Sequence, residues 1–176
     1  MHIVFIHFHF HEEYKKYSIY KKLRGTNINF SIVQRKGHSF KENNIHFIKD
    51  RFNPELKWWQ NPESLNLYIQ KLKPDMVYIF GLNLPLQFRW LKHFIHPNTI
   101  LVGQHCGETP WIQKNLWLQQ SALRVVDAFI FENTQSADPW LKCAAILECQ
   151  PIFEIEDFSN KINKIFNSLQ DKRGKI

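Results

Sequence analysis

The amino-acid sequence predicts a doubly wound α/β fold, a mainly parallel sheet with helices on both faces. Three observations carry that expectation. Short continuous apolar runs, among them IVFI, MVYIF and AFIF, recur along the chain as strands buried on both faces require. They alternate with longer stretches of helical periodicity, the pattern of a sheet covered by helices. At 176 residues, with 44% hydrophobic and 15% aromatic side chains, the chain can bury the core of one domain and does not resemble a disordered polymer.

The first strand is the apolar run Ile3 to Ile6. A helix follows over EEYKKYSIYKKLR, where Tyr14, Tyr17, Tyr20 and Leu23 fall at roughly helical spacing before Gly25. INFSIVQ (28–34) and IHFI (45–48) read as the second and third strands. A helix after Pro62 runs through PESLNLYIQKL until Lys73-Pro74-Asp75 breaks it. MVYIFG (76–81), TILVG (99–103), DAFIF (127–131) and PIFEIE (151–156) supply the remaining strands. Helices over PLQFRWLKHFI, NLWLQQSALRVV and SADPWLKCAAIL connect them, and one over NKINKIFNSLQ follows the last. No repeat, low-complexity segment or linker interrupts the series, so 1–176 reads as a single Rossmann-like domain.

In such sheets ligands bind beyond the carboxyl ends of the strands, where the order of winding reverses. After the first strand, HFHFH sets His7, His9 and His11 at alternate positions. If the strand persists that far they share one face, a geometry open to zinc or another divalent ion and hence to a metal-dependent hydrolase. No Asp-rich or second His cluster completes a shell, so the preferred reading has no metal and places His9 and His11 in a binding cleft. The loop after the fifth strand, GQHCGETPW (103–111), is the densest candidate site, with two glycines that allow close backbone approach and with His105, Cys106 and Glu108 crowded together.

His105 could donate a hydrogen bond or act as a general base near neutral pH, and Glu108 could orient it or bind a sugar hydroxyl. The alternative is a loop whose polar groups merely cap the sheet edge. Sequence neighbours generally point apart, so Cys106 beside His105 is not read as a thiolate nucleophile. Gly81 and Asn83 after the fourth strand, and Glu132, Asn133 and Thr134 after the sixth, add polar groups at the same edge that suit helix caps as readily as ligand contacts.

The exclusions are also informative. None of the six glycines forms a phosphate-cradling motif, so no cofactor or nucleotide site is expected in this domain. No apolar run is long enough to span a bilayer, and the amino-terminal stretch does not fit a signal peptide, so the expected location is cytoplasmic. Cys106, Cys143 and Cys149 are odd in number and lack metal-type spacing, which favours thiols. A net charge of +7 favours anionic partners in general. Lys15, Lys16, Lys21, Lys22 and Arg24, with Lys57-Trp58-Trp59, could seat the protein peripherally on an anionic membrane surface. A solvated basic face with tryptophans in the core is the plainer account. No nucleic acid partner is expected.

KPDMVYIFG, TILVGQHCGE, VVDAFIFENTQSADPWLK and PIFEIEDFSN resemble, in order and spacing, the second half of the N-terminal domain of GT-B glycosyltransferases of the large family 4 (group 1) type. The resemblance covers roughly 71–160 well and the first 70 residues by topology. It implies the acceptor-binding half of a sugar transferase, serving glycan or cell-surface polysaccharide synthesis, with a sugar or glycolipid acceptor. His105 matches the family's histidine near the reacting sugar, and Gln104, Gly107 and Glu108 lie in the matching loop. The nucleotide-sugar donor is expected in a C-terminal domain that is absent from this chain, and turnover by the isolated chain is not expected. HFHFHEE replaces the glycine-rich turn common in the family after the first strand, and Glu148 and Glu156 repeat the spacing of its paired acidic motif only while flanking a predicted strand. A non-catalytic sugar- or partner-binding module of the same fold is the further alternative.

Overall fold

The computed structural model describes residues 1–8, 23, 28–36, 40–42, 45–49, 51, 56–111 and 115–173. Their strands are β1 (His2–His7), β2 (Asn29–Lys36), β3 (Phe40–Glu42), β4 (Ile45–Lys49), β5 (Met76–Phe80), β6 (Ile100–Gln104), β7 (Ala128–Phe131) and β8 (Ile152–Glu154). They form one sheet in the order β3-β4-β2-β1-β5-β6-β7-β8. Every pairing is parallel except that of β3 with β4. The helices are α1 (Glu63–Leu72), α2 (Pro85–Lys92), α3 (Leu116–Leu123), α4 (Asp138–Lys142) and α5 (Ile155–Arg173). The fold is therefore the Rossmann-like α/β sandwich that the alternation of runs predicts.

Alternation along each strand sorts the side chains into two cores. Val4, Ile6, Val77, Ile79, Leu101, Phe129 and Phe131 face one way and pack under Leu65 and Ile69 of α1, Phe88 and Leu91 of α2, Leu123 of α3 and Trp140 of α4. Ile3, Phe5, Met76, Tyr78, Ile100, Val102 and Ile130 face the other way, against Leu23 and against Phe158, Ile162, Ile165 and Leu169 of α5. The α5 residues recur at helical spacing, one apolar stripe on an otherwise polar helix.

Three elements differ from expectation. The edge strand β3 has a single apolar residue among its three, so no hydrophobic run announces it. The last strand stops at Glu154, because Ile155 and Glu156 already begin α5. The helix expected over 136–147 divides into a 3-10 turn (Thr134–Ala137) and α4, and Ala144 closes it in the left-handed region at φ 54°. The helix expected over 12–24 lies outside the described residues apart from Leu23, which is buried.

At the amino edge two aspartates make the same reciprocal bridge. The Asp75 N–H donates to the His2 carbonyl (2.9 Å), and the His2 N–H donates to Asp75 Oδ2 (2.7 Å). One crossover away, the Asp127 N–H donates to the Leu101 carbonyl (2.8 Å), and the Leu101 N–H donates to Asp127 Oδ2 (2.7 Å). Each carboxylate thus satisfies an amide at the start of a neighbouring strand, that of the first residue of β1 and of the second residue of β6. A hydrogen bond to a charged group contributes about 1.5–3 kcal/mol. The Asp127 side chain is the more buried of the two. Asp127→Ala should therefore lower unfolding stability by about that amount, and Asp75→Ala by less, since water screens and replaces the exposed carboxylate. Urea denaturation of both variants would check the order, and an equal or reversed ranking would deny the bridges this role.

Candidate functional site at the carboxyl edge

From β1 the chain winds outward through β2 and β4, and from β5 outward the other way through β6, β7 and β8, so winding reverses between β1 and β5. The loops after β5 and β6 meet beside that point. Gly81, directly after β5, donates its N–H to the Gln104 carbonyl at 2.9 Å and takes φ +90°. A Cβ there would stand 2.8 Å from Glu108 Oε1 and 3.1 Å from Asn83 Oδ1. The missing side chain makes room for the Glu108 carboxylate. Its Oε1 accepts the Leu82 N–H (3.2 Å) and its Oε2 accepts the Cys106 N–H (2.7 Å), which ties the two loops together.

His105 continues the sheet by donating its N–H to the Ile130 carbonyl (2.9 Å). Its ring stacks on Phe131 (centroids 5.0 Å apart, 24° between planes) and meets Trp140 edge-on (6.0 Å, 77°). Nε2 lies 2.8 Å from the Glu108 carbonyl oxygen. A carbonyl can only accept, so Nε2 carries a proton, and in the neutral ring Nδ1 is the acceptor. Nδ1 has no partner among the described residues. The loop thus holds the imidazole by one nitrogen and leaves the other able to take a hydrogen bond from a hydroxyl.

The remaining candidates divide by what already holds them. Gln104 is buried and its Oε1 accepts the Tyr78 hydroxyl proton at 2.7 Å, in the core on the α5 side. Asn133 caps the 3-10 turn, its Oδ1 accepting from the Ser136 N–H and hydroxyl at 3.0 Å each. Glu132 is exposed just beyond β7, and Asn83 is half-buried after β5. Gly107 takes φ +93° with open space where a Cβ would stand, whereas Gly103 lies tight against α2, where a Cβ would come within 2.9 Å of Leu82 Cδ2 and 3.0 Å of Phe88 Cε1. Of the two loop glycines, only Gly103 serves a close approach.

His7 is buried and stacked on Phe80 (centroids 4.2 Å apart, 9° between planes). His9 and His11 lie outside the described residues. No group of three His, Cys, Asp or Glu side chains among the described residues is placed to hold a metal ion, and no helix among them is long and apolar enough to cross a membrane. Burial and the nearby Glu108 carboxylate push the Cys106 thiol up to about 12, against a smaller opposing effect of a backbone hydrogen bond from Gly81.

Among the hollows lined by the described residues, two flank the sheet. The larger, about 790 Å³, lies at the amino ends of β5 and β6 between Lys73, Asp75, His96 and Asn98, where Asp75 is already bridged to His2. The smaller, about 470 Å³, lies on the carboxyl side and is lined by Trp58, Asn83, Leu84, Trp111 and Asn115. Position decides between them, because loops at the carboxyl ends carry ligand sites in this architecture. Of these lining residues only Asn83 stands out in the sequence as an acceptor contact, Trp58 being read there as a core or membrane-facing residue. The tryptophans are separated by more than fifty residues, and only the fold brings them together.

No family model matches the chain, and no curated protein matches its sequence. Solved structures share its fold. A sucrose-phosphate synthase chain from Thermosynechococcus elongatus superposes with a TM-score of 0.68 at 12% identity, covering 96% of this chain and 99% of that one. A second sucrose-phosphate synthase chain from the same organism gives 0.61 at 10% identity, covering 92% of this chain, which spans 52% of that one. An E. coli trehalose-6-phosphate protein bound with UDP-2-fluoro glucose gives 0.51 at 13% identity, over 81% of this chain and 42% of its own. These likenesses place the chain in one structural class, a Rossmann-like α/β domain.

Two outcomes test the geometry. Gly107→Ala should cost only the left-handed backbone, about 1–2 kcal/mol. Gly81→Ala should cost more, because its methyl group also displaces the carboxylate that ties the loops. Denaturation midpoints that rank the other way would contradict the Glu108 brace. Both Cys106 and Cys149 are exposed residues, but a thiol titrating near 12 has about one part in ten thousand thiolate at pH 8, so iodoacetamide should modify Cys106 far more slowly than Cys149. The Cys106 rate should climb steadily between pH 8 and 11. Mass spectrometry of tryptic peptides reads both, and prompt labelling of Cys106 at pH 8 would overturn this placement of its thiol.

Proposed function

We propose that this domain is the acceptor-side half of a nucleotide-sugar-dependent glycosyltransferase of GT-B architecture, of the family 4 type that its loop motifs resemble. The observation that carries the reading is the composition of the carboxyl edge. A half-buried histidine whose Nδ1 has no partner among the described residues stands there beside neutral amides, and neither the β5 nor the β6 loop carries a glycine-rich phosphate cradle. The shared fold with two sucrose-phosphate synthase chains, one of them matched over nearly its whole length, supports it.

In this reading the acceptor is a sugar or glycolipid. His105 Nδ1 accepts the proton of a reacting or neighbouring hydroxyl while its Nε2–H stays on the Glu108 carbonyl, so the ring orientation is fixed before substrate arrives. Asn83 and Glu132 supply polar contacts from the flanking loops, with His9 and His11 following β1 in the chain. Gly81 and Gly107 shape the β5 and β6 loops and Glu108 ties them together, while Gln104 is bonded to Tyr78 in the core and Asn133 caps the turn after β7. The charge that develops on the leaving diphosphate needs cations or oriented amides, which a facing donor domain would contribute.

Ligand-observed NMR on the purified chain tests the assignment. Saturation transfer is expected to reach the protons of oligosaccharide acceptors and to leave nucleotide-sugar base and ribose protons unsaturated at equal concentration. Strong transfer to the nucleotide would move the donor site into this domain and overturn the acceptor-side reading.

A further inference from the structure

We infer that the hollow bounded by Trp58, Asn83, Leu84, Trp111 and Asn115 is a subsite for a single sugar ring, seated against the tryptophan corner and held at its rim by carboxamides. The inference rests on the acceptor-side reading and adds to it a place and a chemistry. Its starting point is the pair of indoles. Trp58 and Trp111 stand 5.5 Å apart with 78° between their planes, so together they form a corner. Both are half-buried, which leaves part of each ring open. A pyranose has a face of C–H bonds and an equatorial rim of hydroxyls, so it matches an aromatic wall on one side and hydrogen-bonding amides on the other. The volume of about 470 Å³ falls within the range of small-molecule sites.

The supporting structure beneath the corner is independent of the aromatic geometry. Gln87 of α2, fully buried, donates Nε2 to the Gln60 carbonyl at 2.7 Å, and the Trp58 carbonyl lies at 3.5 Å. Gln119 of α3, also fully buried, accepts the Trp111 N–H on Oε1 at 2.8 Å. Each tryptophan-bearing loop is thus pinned to a helix by a glutamine in the interior. Each glutamine also keeps one buried atom, Gln87 Oε1 and Gln119 Nε2, without a partner among the described residues. Unsatisfied buried amides are costly, and a core built only for stability would fill both positions with apolar side chains. Holding two loops in fixed geometry at that cost is the arrangement of a preorganised site.

Asn115 supplies the rim. It stands at the N-cap of α3, where asparagine usually bonds to an amide of the first turn, yet its side chain makes no capping bond and the residue is exposed. Without a side-chain hydrogen bond among the described residues, its carboxamide stands at the mouth of the hollow, which Asn83 on the β5 loop also lines. Trp59 (54% exposed) and Trp117 (67% exposed) lie close by in the chain but do not line the hollow. They serve as internal controls. A lipid surface would need these two, whereas a sugar ring in the corner needs Trp58 and Trp111.

The test is titration of the purified chain with a panel of hexoses, N-acetylhexosamines and their disaccharides, read by tryptophan fluorescence and saturation-transfer NMR. Trp58→Leu and Trp111→Leu should each weaken binding by about tenfold, the scale of one aromatic contact. Asn115→Ala breaks no side-chain hydrogen bond among the described residues, so it should fold normally and weaken binding by about threefold to tenfold. Trp59→Ser and Trp117→Ser should leave affinity within about twofold. Circular dichroism melts identify any variant that fails to fold, and the Asn115 arm then decides the question without it. Sugar binding that survives Trp58→Leu, Trp111→Leu and Asn115→Ala unchanged would overturn the subsite and leave the acceptor-side reading standing. No binding of any sugar at millimolar concentration would overturn both. Binding lost only with Trp59 and Trp117, together with capture by vesicles containing one-third phosphatidylglycerol, would replace the sugar subsite with a membrane contact.

Discussion

The reciprocal aspartate bridges at the amino edge are the constraint on which the rest of the sheet depends. An amide at the start of a strand needs an acceptor. Asp75 and Asp127 answer that donor with a carboxylate while their own N–H groups return to the same residue's carbonyl. Two bonds between one pair of residues close a ring, and a ring tolerates no slip. Shifting β5 or β7 by one residue would break both bonds and turn every apolar side chain to the opposite core. The register of β1 with β5 and of β6 with β7 follows from these pairs.

What register decides at one edge appears at the other. With β5 and β6 aligned so that Phe80 stands opposite Gln104, Gly81 falls where its N–H meets the Gln104 carbonyl and its bare Cα admits the Glu108 carboxylate. That carboxylate then orders the loop whose backbone carbonyl holds His105. The chain of cause runs the length of two strands, from an aspartate clamp to the orientation of an imidazole. It also separates two kinds of acidic residue. Asp75, Asp127 and Glu108 all accept backbone amides, and in each case the charge holds architecture in place.

The motifs that carried the family resemblance are mostly of this architectural kind. Asp75 of KPD and Asp127 of VVDAFIF close the bridges, and Asn133 of FENTQS caps a turn. They belong to the winding of the sheet, and the sheet is what this chain has in common with solved structures of only 10–13% sequence identity. The tryptophan corner carries no such signature, because it depends on no fixed spacing in the chain.

From residue order alone, the alternation of strands and helices, the two-sided burial of β1, β5, β6 and β7, and the loop that bears His105 could all be read, because each is written in contiguous residues with a period of its own. The edge strand β3 could not, since a short polar strand at a sheet margin has no hydrophobic face to betray it. Nor could the bond from His105 to the Glu108 carbonyl, which turns on how Gly81 in a different loop leaves room for a carboxylate. The meeting of Trp58 with Trp111 was likewise settled only by folding. Each tryptophan read singly fits a core or a surface, and what makes them a corner is the packing of α2 against α3, whose buried glutamines draw two distant loops to one place.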